Sequence, residues 1–261
     1  MLLDKFKSKL NTMKFSRIIT LIAFTLSFLT LGAQNSNNIK KIIYNIGTYK
    51  IETNEIKSSE VPKASIEKIL KNQEKIQFEL IIDNESSLFR IIDRLEEKDN
   101  MDYKISTIIN GGTIIYYKNI NSKEKIYQAE LQGQKLNIEL PFEQYKWEIS
   151  QEYKYINGFK CYKATTFFEK ADKGRGTLKS YSPIVWFTPE IPLPYGPKGL
   201  DGLPGLVLEA TIDGFDYIYC SKIIFEENNN NKIENPAKGK TITEDEFQNI
   251  NAKIYNEIRG K

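Results

Sequence analysis

No histidine occurs anywhere in the 261 residues. That absence removes Ser-His-Asp and Cys-His nucleophilic catalysis, imidazole acid–base chemistry and the usual zinc ligand sets together. Cysteine is scarce as well. Cys161 and Cys220 are the only two, so no disulfide framework can be deduced, and a bridge or two buried thiols are both open. Internal repeats are missing, and no glycine-rich segment follows a strand and opens a helix as a phosphate-cradling loop does. Long apolar runs are absent except for one near the N-terminus.

That run spans residues 18–31, behind Lys14 and Arg17 and ahead of the small residues Gly32 and Ala33. At fourteen residues it falls short of the roughly 20 needed to cross a bilayer. It reads as a signal peptide over 1–33, cleaved before Gln34, with either Met1 or Met13 as the start. The expectation is an exported protein, periplasmic, associated with the outer membrane or secreted, with no membrane span after cleavage. Residues 34–261 form a single domain on this reading. Losing 1–33 removes Lys5, Lys7, Lys9, Lys14 and Arg17 but only Asp4 among the acids, which leaves 32 basic against 33 acidic residues. A near-neutral chain gives no electrostatic reason to expect nucleic acid as a partner.

Turn chemistry fills the rest. Asn110-Gly111, Asn157-Gly158 and Asp213-Gly214 each lie between β-rich runs, and such pairs suit the two left-handed positions of a tight hairpin. They predict Lys104–Ile109 paired with Thr113–Lys118, Gln144–Ile156 with Phe159–Phe168, and Leu206–Ile212 with Phe215–Phe225. Gln132-Gly133 is a further candidate. Tyr145, Trp147, Ile149, Gln151, Tyr153 and Tyr155 alternate with polar residues, a strand with one buried and one wet face. Pro62–Gln73 reads as a helix. Thr243-Glu244-Asp245-Glu246 is a capping box that opens a second, with Phe247, Ile250, Ile254 and Ile258 in one apolar stripe and Gly260 at its end. The fold expected is mainly β (α+β): a curved antiparallel meander sheet, half-barrel or open barrel, with about ten strands and one or two covering helices.

Six of the nine prolines fall between Pro183 and Pro204, interleaved at the end with Gly196, Gly199, Gly202 and Gly205. Proline fixes φ and glycine frees it, so the alternation specifies one path. Gly158–Thr165, then Val185–Pro192, then Gly196-Pro197 and Gly202-Leu203-Pro204-Gly205-Leu206-Val207-Leu208-Glu209 occur in order. Over residues 145–226 this resembles the GLPGLI family, a Porphyromonas-type group of exported Bacteroidota proteins of unknown function. Val207 stands where the family name has isoleucine. The resemblance implies export and supplies no catalytic residue and no cofactor.

Candidate sites follow from position. Trp186, Phe187 and Tyr195 flank the proline-glycine stretch and either cover the end of the sheet or rim a groove for an apolar small molecule or a cell-envelope protein. The stretch itself, Gly196, Pro197, Gly202, Leu203, Pro204, Gly205 and Leu206, reads as a rigid turn that returns the chain to the sheet. Glu190, Asp201, Glu209 and Asp213 are the nearby carboxylates, and an acid-dependent hydrolase would need two of them in one cleft. Glu209 stands out, on the polar side of an apolar strand. Non-enzymatic binding is the leading expectation, ahead of an outer-membrane scaffold and the hydrolase.

Overall fold

The computed structural model describes residues 39–48, 63–83, 85–212, 216–225, 233–236 and 238–260. Residues 1–33, read above as a signal peptide, the predicted Asp213-Gly214 turn and residues 226–231 lie outside them. In chain order the elements are β1 (Ile39–Thr48), α1 (Lys63–Gln73), β2 (Gln77–Ile82), β3 (Ser86–Ile91), α2 (Met101–Ile109), β4 (Ile115–Asn119), β5 (Glu124–Leu131), β6 (Gln134–Glu139), β7 (Glu148–Ile156), β8 (Phe159–Thr165), β9 (Phe168–Asp172), β10 (Thr177–Tyr181), β11 (Ile184–Thr188), β12 (Leu206–Thr211), β13 (Asp216–Phe225), β14 (Lys240–Thr243) and α3 (Glu244–Ile258).

Twelve strands form one sheet, ordered β14-β6-β5-β4-β3-β2-β1-β13-β12-β11-β8-β7. Every neighbouring pair is antiparallel except β14 on β6. The sheet is curved and does not close into a barrel. Strands β2 to β6 form one meander, β7, β8, β11, β12 and β13 form the other half, and β1 on β13 is the seam between them. Strands β9 and β10 make a separate two-stranded ribbon.

One core runs through the seam. Ile42 and Tyr44 of β1, Phe78 and Leu80 of β2, Val185 of β11, Leu206 and Leu208 of β12 and Cys220 of β13 are all buried in it. The Tyr44 hydroxyl donates to the Val207 carbonyl at 2.7 Å, which keeps a buried polar group satisfied across two strands. Both cysteines are free and buried. Burial pushes the Cys161 thiol up to about 12 and Cys220 to about 11, so neither is a nucleophile at neutral pH. A second, smaller core holds Tyr127, Leu136, Ile138 and Ile242, and Phe247 and Ile250 of α3 pack on it.

Several expectations hold. Asn157-Gly158 and Gln132-Gly133 have positive φ at both positions and turn β7 into β8 and β5 into β6. Helix α3 opens with the capping box: the Thr243 hydroxyl accepts from Glu246 N at 3.2 Å while the Glu246 carboxylate accepts from Thr243 N at 2.8 Å. Gly260 ends it with φ 67°.

Two expectations fail, each for a physical reason. Residues 101–109 are a helix, not the first arm of a hairpin. The Asn100 side chain caps it by accepting from Tyr103 N, and Gly111, at φ 71°, closes the C-terminus rather than a turn. The alternating run ending in Tyr153 and Tyr155 points those rings outward, at 57% and 68% exposure. Strand β7 is the last in the sheet, and an irregularity between Ile149 and Tyr153 interrupts its pairing with β8. Of the alternating run, Tyr145 and Trp147, before the strand, pack on the core, as does Ile156 at the end of β7 on the other face.

Candidate functional site

The ordered path of residues 189–205 comes from its own hydrogen bonds. Gly202 N donates to Pro194 O, Gly205 N to Leu203 O, Leu206 N to Ile191 O and Val207 N to Tyr195 O. The segment folds back over β12, so Leu206, Val207 and Leu208 are all buried although successive side chains point to opposite faces. Phe187 and Tyr195 are therefore core residues with nothing exposed to form a rim. Trp186 is half-buried beneath the Lys154 ammonium, 4.4 Å from its ring centroid, and Lys154 also bonds Glu209 at 2.6 Å. Glu190 accepts from Lys160 N, Asp201 is buried, and Asp213 lies outside the described residues. Glu190, Asp201 and Glu209 thus each serve a different partner.

Asp201 anchors the path. Its Oδ1 accepts from Lys118 Nζ at 2.8 Å and its Oδ2 is 3.0 Å from Lys125 Nζ, with the three side chains 6%, 6% and 2% exposed. The Trp147 indole N–H donates to the Asp201 carbonyl at 2.8 Å, and Lys125 donates to the Gly199 carbonyl at 3.0 Å. Burial pulls the Lys125 ammonium below the usual lysine range, against Asp201, which raises it. None of this pairing was visible in the sequence, because Lys118 and Lys125 stand on strands among ordinary surface-like charges.

Above this staple lies a cleft of about 410 Å³, within the roughly 300–1,000 Å³ typical of small-molecule sites. Two aromatic arcs wall it. One runs from the core through Tyr116 and Tyr127 to Phe247 of α3, with centroid spacings of 6.0 and 5.8 Å. The other runs from Trp147 through Tyr145 and Phe168 to Tyr181, at 5.3, 5.6 and 5.1 Å. Strands β4 and β5, the β9–β10 ribbon, the 198–200 turn and α3 all contribute. Burial pushes the Tyr116 hydroxyl up to about 12 and raises Tyr127 and Tyr145 as well, so all three are neutral hydroxyls.

The ribbon is tied to α3 at the cleft mouth. Lys170 Nζ sits 2.9 Å from Glu244 Oε1, and the Tyr127 hydroxyl donates to Glu244 Oε2 at 2.9 Å. Burial works to raise the Glu244 carboxyl, but Lys170 and the hydrogen bonds from Lys170, Gln248 and Tyr127 outweigh it and hold it low. Glu79 is likewise raised by burial and lowered further by Lys41 and Arg90. A carboxyl lowered by folding contributes stability above its unfolded value and loses it as pH falls through the folded one. Urea midpoints should therefore begin to fall once pH drops below the ordinary value of 4.5, and Lys170→Gln should shrink that fall. A flat profile between pH 5 and 2 would contradict the carboxylate argument.

Among known proteins the decisive likeness is local. Residues 147–209 match the family described as a protein of unknown function, Porph_ging. The Porph_ging segment opens at Trp147, which holds the Asp201 carbonyl, and closes at Glu209, which holds Lys154. It carries β7 to β11, the ribbon and the whole proline-glycine path, in agreement with the GLPGLI resemblance. Lys118, Lys125, Tyr116, Tyr127 and α3 lie outside the Porph_ging match, so the cleft joins that segment to the rest of the chain. No curated protein matches the sequence. Two crystal structures of PNGF-II, in space groups C2 and P21, share the fold at a TM-score of 0.50 and 12% identity, covering 82% of this chain. The chain spans about a third of their length, 32% and 33%. LprF from Mycobacterium bovis aligns over 81% of this chain and 96% of its own at 10% identity, but its TM-score of 0.27 is too low to imply a shared fold.

Proposed function

We propose that this is an exported protein, freed of residues 1–33, that binds an apolar small molecule in the cleft between the curved sheet, the β9–β10 ribbon and α3. The observation that carries the reading is the pair of aromatic arcs around a 410 Å³ cleft over strands β4 and β5. Aromatic walls bury large apolar area, and that burial drives binding without any catalytic group. Gln144, which also lines the cleft, has its Oε1 buried with no hydrogen-bond partner, an acceptor a ligand hydroxyl would satisfy.

Dodecanol is a suitable probe, titrated calorimetrically into the mature protein. Ala129→Trp fills the cleft from β5 and is expected to abolish the heat of binding; Tyr181→Ala removes part of one wall and should weaken binding about tenfold, the worth of roughly 1.4 kcal/mol of lost contact. Binding that survives both changes would place the ligand elsewhere.

A second reading, docking to an envelope protein, has its support away from residues 183–205. Helix α2 leaves Met101, Ile105, Ile108 and Ile109 exposed, beside Leu95. Monomeric proteins seldom leave such a contiguous apolar face bare. Among the described residues no helix is long and apolar enough to cross a membrane. Co-purification from the native envelope, with mass spectrometry of lipids and proteins, separates the two readings: Ala129→Trp loses a lipid in the first, and Ile108→Asp loses a protein in the second.

A further inference from the structure

We infer that the cleft ligand carries an anionic head, a carboxylate or a phosphate, held between Lys170 and Lys179. The inference rests on the cleft reading above and adds the chemistry of one end of the ligand.

Lys170 and Lys179 are directly opposite each other in the β9–β10 ribbon. Like charges at a cross-strand pair repel and destabilise the pairing. The next pair on the same face, toward the base of the ribbon, is Phe168 opposite Tyr181, whose rings stack at 5.1 Å, and all four side chains line the cleft. The ribbon therefore offers an apolar pair followed by a cationic pair on one face, in the order that a chain and its head group require.

Each lysine has one carboxylate partner, and Asp172 is divided between two cations, so the local charge is offset only in part. Asp172 is shared by Lys179 at 3.5 Å and Arg175 at 3.2 Å, and Glu244 is occupied by Lys170 at 2.9 Å. Each ammonium has three donors, so Lys170 can hold Glu244 and still donate to a ligand oxygen. An anion bridging Lys170 and Lys179 turns a repulsive pair into a two-point clamp.

The test compares probes of one chain length and different heads. Calorimetric titration of the mature protein with dodecanoate and dodecyl phosphate should give affinities about tenfold above dodecanol, as two partly exposed charge contacts allow. Dodecyltrimethylammonium should bind more weakly than dodecanol. In Lys170→Gln/Lys179→Gln the ratio of anion to dodecanol affinity should fall to about one, whatever loss of the Glu244 pair does to both; Lys179→Gln alone, which leaves the Glu244 pair intact, should remove about half of the gain on a logarithmic scale. Equal binding of anion and alcohol would overturn the head-group inference and leave the cleft reading in place. An anionic advantage that persists in the double variant would also overturn it. Failure of all four probes to bind would remove the cleft reading itself.

Discussion

Asp201→Ala should lower the stability of the protein by about 3–5 kcal/mol, the usual consequence of leaving a buried charge without its partner. Here one carboxylate answers two buried ammonium groups, so its removal strands both Lys118 and Lys125. Neither side chain reaches solvent easily: Lys118 is enclosed by the Phe142 ring at 4.3 Å and Lys125 by the Tyr145 ring at 4.8 Å. The backbone would lose order as well, because the Lys125–Gly199 contact and the Trp147 bond to the Asp201 carbonyl depend on the same arrangement. Urea unfolding measures the loss as a lower midpoint with an unchanged slope. Replacing all three members together, Asp201→Leu with Lys118→Met and Lys125→Met, should recover most of it, since apolar groups of similar volume remove the desolvation cost. A loss below about 1 kcal/mol, the value of an exposed ion pair, would mean that the lysines find water.

Gly205→Ala should cost about 3 kcal/mol, the upper end of what overpacking a rigid site costs. A Cβ at this position would run into the Thr188 carbonyl oxygen and lie 2.6 Å from its carbon and 2.9 Å from Pro189 N. These are backbone atoms, those of Thr188 fully buried, and cannot turn away as a side chain could. Gly202, three residues earlier, is the control. Its φ is 88° and no atom lies within 4 Å of the place a methyl group would take, so alanine there costs only the left-handed strain of about 1–2 kcal/mol. The same family motif thus holds one glycine for space and another for conformation. Equal losses at the two positions would remove the close-approach account.

Much of the architecture was legible in the residues. Asn157-Gly158 and Thr243–Glu246 are local signals whose geometry follows from a few neighbouring groups, and both have the structure those groups dictate. Asn110-Gly111 misleads because the same dipeptide ends a helix as readily as it turns a hairpin; the Asn100 cap ten residues earlier is the signal that separates them. The orientation of Tyr153 and Tyr155 was hidden because alternation marks two faces but not which one the core takes, and an edge strand can turn its aromatic face outward. The candidate site was less accessible still. Phe187 and Tyr195 belong on a surface if judged by their position beside a loop, and only the fold shows that the loop buries them. The cleft draws residues from β4, β5, the ribbon and α3, far apart in the chain, and buried lysines carry no mark in a sequence.

The seam between the sheet halves also bears on when this molecule can form. Ile39 sits opposite Phe225, so the first described strand is completed by one of the last. Local hairpins close early, but a pairing across such a separation waits until the intervening chain is at hand. A chain made from its N-terminus therefore keeps the seam, and the core that runs through it, unassembled until β13 is available.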